Sequence, residues 1–371
     1  MTVKLMNKKL LTGFLTLFAS VALAACGTDE AQETPTEELS QVSEETSSET
    51  VIFTDDLGRE VEIPTEIETV LGTGATSQTV LYTLVPELMV GWNSAPDADA
   101  LEYLPADAAD MPEIGSIFSK GKPISPEEIA ALNPGVIIDL GDQKPDLATE
   151  LDELQDDTGV PVIFFDGNLE DMPGLYEKLG ELFAIDTTEQ VNYITEVLAF
   201  ADENRETLQT DPKPYYLASG DNGLLTAPQD SYQTSILDYV GMTNIFQQEE
   251  AQGGGYQEVS AEQVIEWNPE MVIFQQGAGF DQKDDTLWNS LQAYKLDQIY
   301  EIPDEPFNWL SGSVNRVLGV YWLGNLAYPE VYDVDMVEEA QTFYELFYHY
   351  DLTEEEAMDL MSNSTFINNQ I

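Results

Sequence analysis

Two stretches of the chain repeat the same order of polar and apolar positions. The first runs from Ile124 to Ile138, and the second runs from Val259 to Ile273 at a constant offset. Each begins with a serine that is followed three residues later by Glu or Gln, the pattern of a helix capping box. An apolar helical pattern then leads to Asn-Pro, where proline disfavours helical backbone in the residue before it. The short apolar run that follows predicts a buried parallel strand.

The repeat predicts two lobes, because each half of the chain carries one copy of this helix–strand unit. Other segments extend the alternation, with predicted strands at 69–71, 160–165 and 215–218 and predicted helices at 77–84, 147–158 and 235–240. Between the halves, Thr187–Leu208 has helical spacing and contains no Pro or Gly. We therefore predict an α/β fold of two Rossmann-like lobes joined by one long helix, with a ligand cleft between the lobes. A single rigid connecting helix would permit only a small opening of that cleft.

The amino-terminal residues have the pattern of an export signal. Three lysines within the first nine residues precede the apolar stretch Leu10–Ala22, which is too short for a membrane span of about 20 residues and suits a signal-peptide core. Leu23-Ala24-Ala25-Cys26-Gly27 matches the bacterial lipobox, in which a peptidase cleaves before the cysteine and the thiol carries a lipid. We predict a signal peptide at 1–25, lipidation of Cys26, and a cell-membrane lipoprotein that faces the extracellular side or the periplasm.

Charge and composition define the remaining regions. Residues 27–50 hold no aromatic residue, Lys or Arg, so we predict a disordered acidic tether over 26–50. The rest is too long for one compact core, and we divide it into an amino-terminal lobe (51–186), an interlobe helix (187–211) and a carboxy-terminal lobe (212–371) that carries extra helices. The formal net charge of −57 excludes charge-driven binding to nucleic acid or to anionic lipid.

Several segments in order resemble the class III substrate-binding proteins of ABC importers, which include cobalamin-binding and iron-siderophore-binding proteins. Phe53–Val61 with Ile63-Pro64 is similar to the opening hairpin of that family, and both Ser…Asn-Pro helices follow. Ile236–Ile245 is similar to a Leu…Gly-Gly-Asn-Ile segment, although Met242 replaces the second glycine. Asn308-Trp309 with Ser313–Arg316 looks like the final cleft loop and the helix start behind it.

The resemblance implies a monomeric, non-enzymatic importer component. Its partners would be an ABC permease, an ATPase and a small-molecule ligand, with no permanently bound cofactor. Glu127 and Glu262, at equivalent positions of the repeat, would dock onto permease arginines. The matching cleft positions imply ligand contacts by Thr73, Gly74, Thr76, Trp92, Phe118, Lys120, Tyr256, Gln276, Trp309 and Arg316. For each aromatic side chain, ordinary core packing is the alternative interpretation.

The scarcity of basic residues limits the ligand. The only arginines are Arg59, Arg205 and Arg316, whereas binders of catecholate siderophores offer several basic groups to a multiply charged ligand. We expect an iron-siderophore-type metal chelate of low charge or a corrinoid. A small oxyanion such as molybdate or tungstate, gripped by Arg316, is the alternative.

Other functions have weaker sequence support. Gly72–Ser77 follows a predicted strand as a dinucleotide-binding loop would, but the third glycine is missing. One His and one Cys support neither a Ser-His-Asp or Cys-His site nor a structural zinc site. A sensor or adhesin lipoprotein and a surface hydrolase remain alternatives. At the carboxy terminus, Phe343, Leu346 and Phe347 predict an extra packed helix, and the single histidine, His349, is expected to be structural or on the surface.

Overall fold

The computed structural model describes residues 49–118, 121–208, 212–229, 231, 233–247 and 255–362. The predicted signal peptide, Cys26, nearly all of the tether, and Lys120 lie outside these residues. Among the described residues, no helix has both the length and the apolar character needed to cross a bilayer.

The described part of the chain contains two parallel sheets, one in each half. The strands are β1 Thr50–Thr54, β2 Glu60–Pro64, β3 Val70–Gly72, β4 Val136–Gly141, β5 Val162–Asp166, β6 Pro214–Ala218, β7 Leu225–Thr226, β8 Thr243–Asn244, β9 Gln257–Glu258, β10 Met271–Phe274 and β11 Ile299–Glu301. The first sheet has the order β3-β4-β5, and the second has the order β11-β10-β6-β8. Two antiparallel pairs, β1-β2 and β7-β9, stand apart from them. The predicted α/β fold is confirmed.

Helices connect the strands of each sheet and form the carboxy-terminal region. They are α1 Ala75–Leu84, α2 Pro126–Leu132, α3 Leu147–Thr158, α4 Met172–Phe183, α5 Thr188–Leu208, α6 Ser235–Tyr239, α7 Ala261–Trp267, α8 Thr286–Ser290, α9 Gln292–Lys295, α10 Asn315–Ala327, α11 Pro329–Tyr332, α12 Met336–Phe343 and α13 Glu354–Leu360. Short 3-10 turns occur at Pro86–Leu88, Ala100–Tyr103, Ala106–Asp110 and Phe280–Gln282, and a π helix spans Tyr344–Tyr348. The 21-residue α5 lies in the chain between the two sheets, where the sequence predicts the connecting helix.

The duplicated units adopt the same local geometry. Ser125 accepts a hydrogen bond from the Glu128 amide (3.3 Å), and Ser260 accepts one from the Gln263 amide (3.2 Å), so both capping boxes are present. The two helix ends share a feature that the proline rule does not predict. The asparagine before each proline has a left-handed backbone, with φ of 48° in one copy and 45° in the other. Asparagine tolerates this conformation better than most residues and serves as a helix C-cap.

The carboxy-terminal helices form a large part of the core. All of α10 is buried, and it packs against α5, α6, α11 and α12, as expected for a helix that carries apolar residues on every face. Phe343 lies in α12, and Phe347 lies in the π helix; both are fully buried. The extra packed helix predicted there is therefore present, with a π turn at its end. His349 ends this segment with a left-handed backbone (φ 58°) and is exposed.

Candidate ligand-binding site

One cavity, of about 290 Å³, lies at the carboxyl ends of β3 and β4 beside the amino terminus of α1. Of the predicted ligand-contact residues, it is lined by Thr73, Gly74, Thr76 and Phe118. The carboxyl ends of parallel strands are the usual place for ligands in open α/β sheets. The half-exposed ring of Phe118 gives this wall an apolar contact.

Hydrogen bonds fix the loop that forms this wall. The Thr73 hydroxyl donates to the Asp139 carboxylate, and burial raises the pKa of that carboxyl group. The buried Asn93 amide donates to the carbonyls of Gly72 (2.7 Å) and Gly115 (2.9 Å). A Cβ at Gly72 would lie 2.9 Å from the Asn93 side chain and 2.8 Å from that of Ser77, so the close packing of this loop requires glycine.

A second cavity, of about 320 Å³, lies at the carboxyl ends of β6, β10 and β11. Three predicted contact residues line it, namely Tyr256, Gln276 and Arg316. The Tyr256 hydroxyl accepts a hydrogen bond from Gln275, which in turn accepts one from Ser219 (3.0 Å). This network fixes the orientation of Tyr256, which lines the cavity and is 36% exposed.

Asp142 of the first cavity and Arg316 of the second cavity carry opposite charges. Burial raises the pKa of Asp142, a residue of the first cavity, while attraction to Arg316 in the second cavity acts in the opposite direction. The other two arginines have structural partners: Arg59 pairs with Asp55 (2.9 Å), and Arg205 pairs with Asp202 (2.9 Å). Arg316, only 3% exposed, lines the second cavity.

Acidic residues of the two halves repel one another near the second cavity. Burial, together with repulsion from Asp97, raises the pKa of Asp304 to about 6. Burial and repulsion from Asp97, Asp304 and Asp99 raise the pKa of Glu305 to about 7. No group of three or more His, Cys, Asp or Glu within the described residues is arranged to hold a metal ion.

The structure corrects the expectation for both tryptophans. The Trp92 indole donates to the Ala108 carbonyl (3.0 Å), and its ring packs against Tyr82 with centroids 5.0 Å apart. Trp309 is fully buried and donates to the Tyr344 hydroxyl (3.4 Å). Neither ring lines either cavity. Burial of a large aromatic surface stabilises the fold strongly, and these two rings are core residues.

The structure adds polar residues to those predicted as ligand contacts. Asp142 and Lys144 line the first cavity, and Asp304 and Asn308 line the second. The first two directly follow β4, so the general preference for sites after parallel strands could have identified them. Outside the cleft, the proposed docking residues Glu127 and Glu262 are exposed in the first turns of α2 and α7.

Comparison with known proteins assigns the family. A family model described as periplasmic binding protein matches residues 92–306, more than half of the chain. The chain belongs to the periplasmic binding protein family. The two sheets of this family member, with a cavity at the strand ends of each, agree with the two-lobed fold of such proteins.

Three similar proteins share between 22% and 27% identity with this periplasmic binding protein. A molybdate-binding protein, MolA of Haemophilus influenzae, is 27% identical over 143 residues, which cover 36% of this chain and 38% of that protein. The match therefore spans less than half of the relative's length. An ABC transporter solute-binding protein from Sulfurospirillum deleyianum has a TM-score of 0.74 at 23% identity, covering 84% of this chain and 99% of that one. A periplasmic solute-binding protein from Veillonella parvula has a TM-score of 0.68 at 22% identity, covering 87% and 99%.

Proposed function

We propose that this periplasmic binding protein is the solute-binding component of an ABC importer. The observation that carries the proposal is that each parallel sheet has a solute-sized cavity at the carboxyl ends of its strands. The charges of Arg316 in one cavity and Asp142 in the other attract each other. Residues far apart in the sequence line these two cavities, and we infer that the two together form one cleft. A cleft of this kind suits capture and release of a small solute without chemical change.

The charge of the cleft supports a ligand of low net charge. The described cavity walls contain Asp139, Asp142, Glu150 and Asp304, against the bases Lys144 and Arg316. A multiply anionic catecholate chelate would meet net repulsion from these acids. We therefore favour a near-neutral metal chelate of the iron-siderophore type or a corrinoid as a transported ligand, with no permanently bound cofactor.

A small oxyanion such as molybdate or tungstate is the second candidate. The 27% identity to a molybdate-binding protein supports it, and so does the chemistry of the cleft. Arg316 could bind an oxyanion through a bidentate contact. The amino terminus of α1, which lines the first cavity and has no acid in its first turn, would favour negative charge through its free amide groups.

The proposed partners follow from the importer role. Glu127 and Glu262, one on each duplicated helix, would contact arginines of the permease, and an ATPase would drive transport. Lipid on Cys26 would hold a monomeric protein at the membrane on the extracellular or periplasmic side. The charge of −57 argues against nucleic-acid partners. We favour this role over a sensor, an adhesin or a hydrolase because the cleft joins residues of both halves around a solute-sized space.

Uptake by cells that lack the chain tests the importer role. The assay follows a ferric hydroxamate, cobalamin and molybdate, each supplied at limiting concentration, in the deletion strain and after restoration of the chain. We expect uptake of one of these solutes to fall on deletion and to return on restoration. Equal uptake of every solute in both strains would contradict the proposal.

A further inference from the structure

The loop 303–314, which we call the cleft loop, connects β11 to α10 and forms much of the second cavity wall. It contributes Asp304, Asn308, Leu310, Ser311 and Gly312, and Arg316 lies in the first turn of α10 after it. The loop contains neither strand nor helix. Connecting segments are normally more mobile than the elements that they join, so a defined cavity wall here requires contacts from elsewhere in the protein.

Two buried tyrosines of the carboxy-terminal π helix provide such contacts. The Tyr344 hydroxyl donates to the Glu305 carbonyl and accepts from the Trp309 indole (3.4 Å). The Tyr348 hydroxyl donates to the Asn315 side chain. Burial raises the pKa of both phenols well above its usual range, so both stay protonated and able to donate.

Asn315 carries the contact of Tyr348 into the cleft loop. With its carbonyl oxygen held by that hydroxyl, its amide nitrogen donates to the Asn308 carbonyl (3.2 Å) and to the Ser311 hydroxyl (3.4 Å). Asn308 and Ser311 both line the second cavity. The Tyr348 hydroxyl therefore orients the Asn315 amide. That amide in turn fixes Asn308 and Ser311 in the wall of the second cavity.

The same π helix also contacts the half of the protein that bears the first cavity. Phe347 packs edge-on against Tyr176 with centroids 5.8 Å apart, and the Tyr176 hydroxyl is hydrogen-bonded to Thr83 of α1 (2.6 Å). Phe307 of the cleft loop lies between Tyr348 (5.6 Å) and Tyr82 of α1 (6.4 Å). Because the amino end of α1 lines the first cavity, the π helix contacts elements that line both cavities.

We propose that Tyr344 and Tyr348 are positioning residues of the ligand site, which hold the cleft loop in its binding geometry and tie it to α1. The aromatic rings anchor the π helix in the core, and the hydroxyl groups fix the loop. This assignment rests on the proposed function only in treating the second cavity as the ligand site. The carboxy-terminal extension is thereby a functional part of the binding site.

Hydrogen–deuterium exchange on the full chain without ligand tests this assignment. The reporting amides are those of Trp309, Leu310 and Ser311, which donate to loop acceptors at 3.0 Å. Tyr348→Phe keeps the ring and removes the hydroxyl, and we expect about fivefold faster exchange at these amides, the effect of one lost hydrogen bond. Tyr344→Phe should have at least the same effect, because it removes two contacts.

Tyr350→Phe is the matched control, because its hydroxyl donates to Glu356 (2.9 Å), outside the cleft loop. It should leave loop exchange unchanged, and exchange within α5 should be native in all three variants. Native loop exchange in Tyr348→Phe, or equally faster exchange in the control, would overturn the assignment. If Tyr344→Phe fails to fold, Tyr348→Phe alone decides. Faster loop exchange in a chain that supports no solute uptake would contradict the proposed function and leave the positioning role supported.

Discussion

Replacing Glu305 with glutamine should flatten the dependence of the protein's stability on pH. In the folded protein, burial and the neighbouring Asp97, Asp304 and Asp99 raise the pKa of Glu305 from 4.5 to about 7. Between these two values the folded state holds a proton that the unfolded state has released. The associated stability is therefore fully present below the unfolded pKa and is lost as the pH rises through about 7. The glutamine side chain of the variant is neutral at every pH, so this position would cause no loss of stability over the same range.

The magnitude follows from the size of the shift. Each pKa unit corresponds to about 1.4 kcal/mol, so a rise from 4.5 to about 7 has an upper limit of about 3 kcal/mol. Glu305 is only partly buried, and solvent screening reduces such contributions substantially. Between about pH 5 and pH 8, we expect the unfolding free energy of Glu305→Gln to fall by about 1 kcal/mol less than that of the native chain.

Urea unfolding followed by tryptophan fluorescence at these two pH values measures the effect. Glu330→Gln is the control, because it removes one negative charge from an exposed position in α11. The Glu305 variant should show a smaller loss of stability at the higher pH than the native chain and the control. An identical loss in all three proteins would refute the reasoning about burial of this carboxyl group.

Three further predictions concern other parts of the protein. Charge reversal at both Glu127 and Glu262 should abolish solute uptake and leave ligand affinity native, because both are exposed outside the cleft; undiminished uptake in the double variant would remove the docking assignment. Trp309→Ala should lower the unfolding free energy by about 3–5 kcal/mol, because it removes a fully buried ring; a loss below about 1 kcal/mol in urea unfolding would contradict its place in the core. Ser260→Ala should lower the unfolding free energy by about 1 kcal/mol, because it removes the cap of α7. Ser125→Ala should lower it by about as much in the same assay. An unchanged unfolding free energy in both variants would argue against the capping interpretation.

Local sequence rules predicted the repeated units well because their determinants are close together in the chain. A capping serine, the side chain three residues later and the Asn-Pro end act within one short segment. The structure therefore reproduces both helices and both following strands. The long α5 was predictable for the same reason, since helical spacing extends over 21 residues without a breaking residue.

The exposure of individual aromatic residues could not be predicted in this way. The family resemblance places Trp92 and Trp309 at matching cleft positions, yet both are buried, whereas Tyr256 and Phe118 line cavities. The same side chain suits a core and a ligand site, and distant packing decides between them. For Trp309 the decisive partner is Tyr344, which lies beyond the residues 92–306 that the family model matches.

Equilibrium titration of the full chain with a ferric hydroxamate, a ferric catecholate, haem, cobalamin and molybdate tests the central claim most directly. The native chain should bind one of these solutes at one to one. Arg316→Gln should weaken that binding at least tenfold, as expected for a lost charged hydrogen bond, and Tyr350→Phe should bind with native affinity. Absence of binding to every solute, or equal affinity of the Arg316 variant and the native chain, would contradict a solute-binding cleft centred on Arg316.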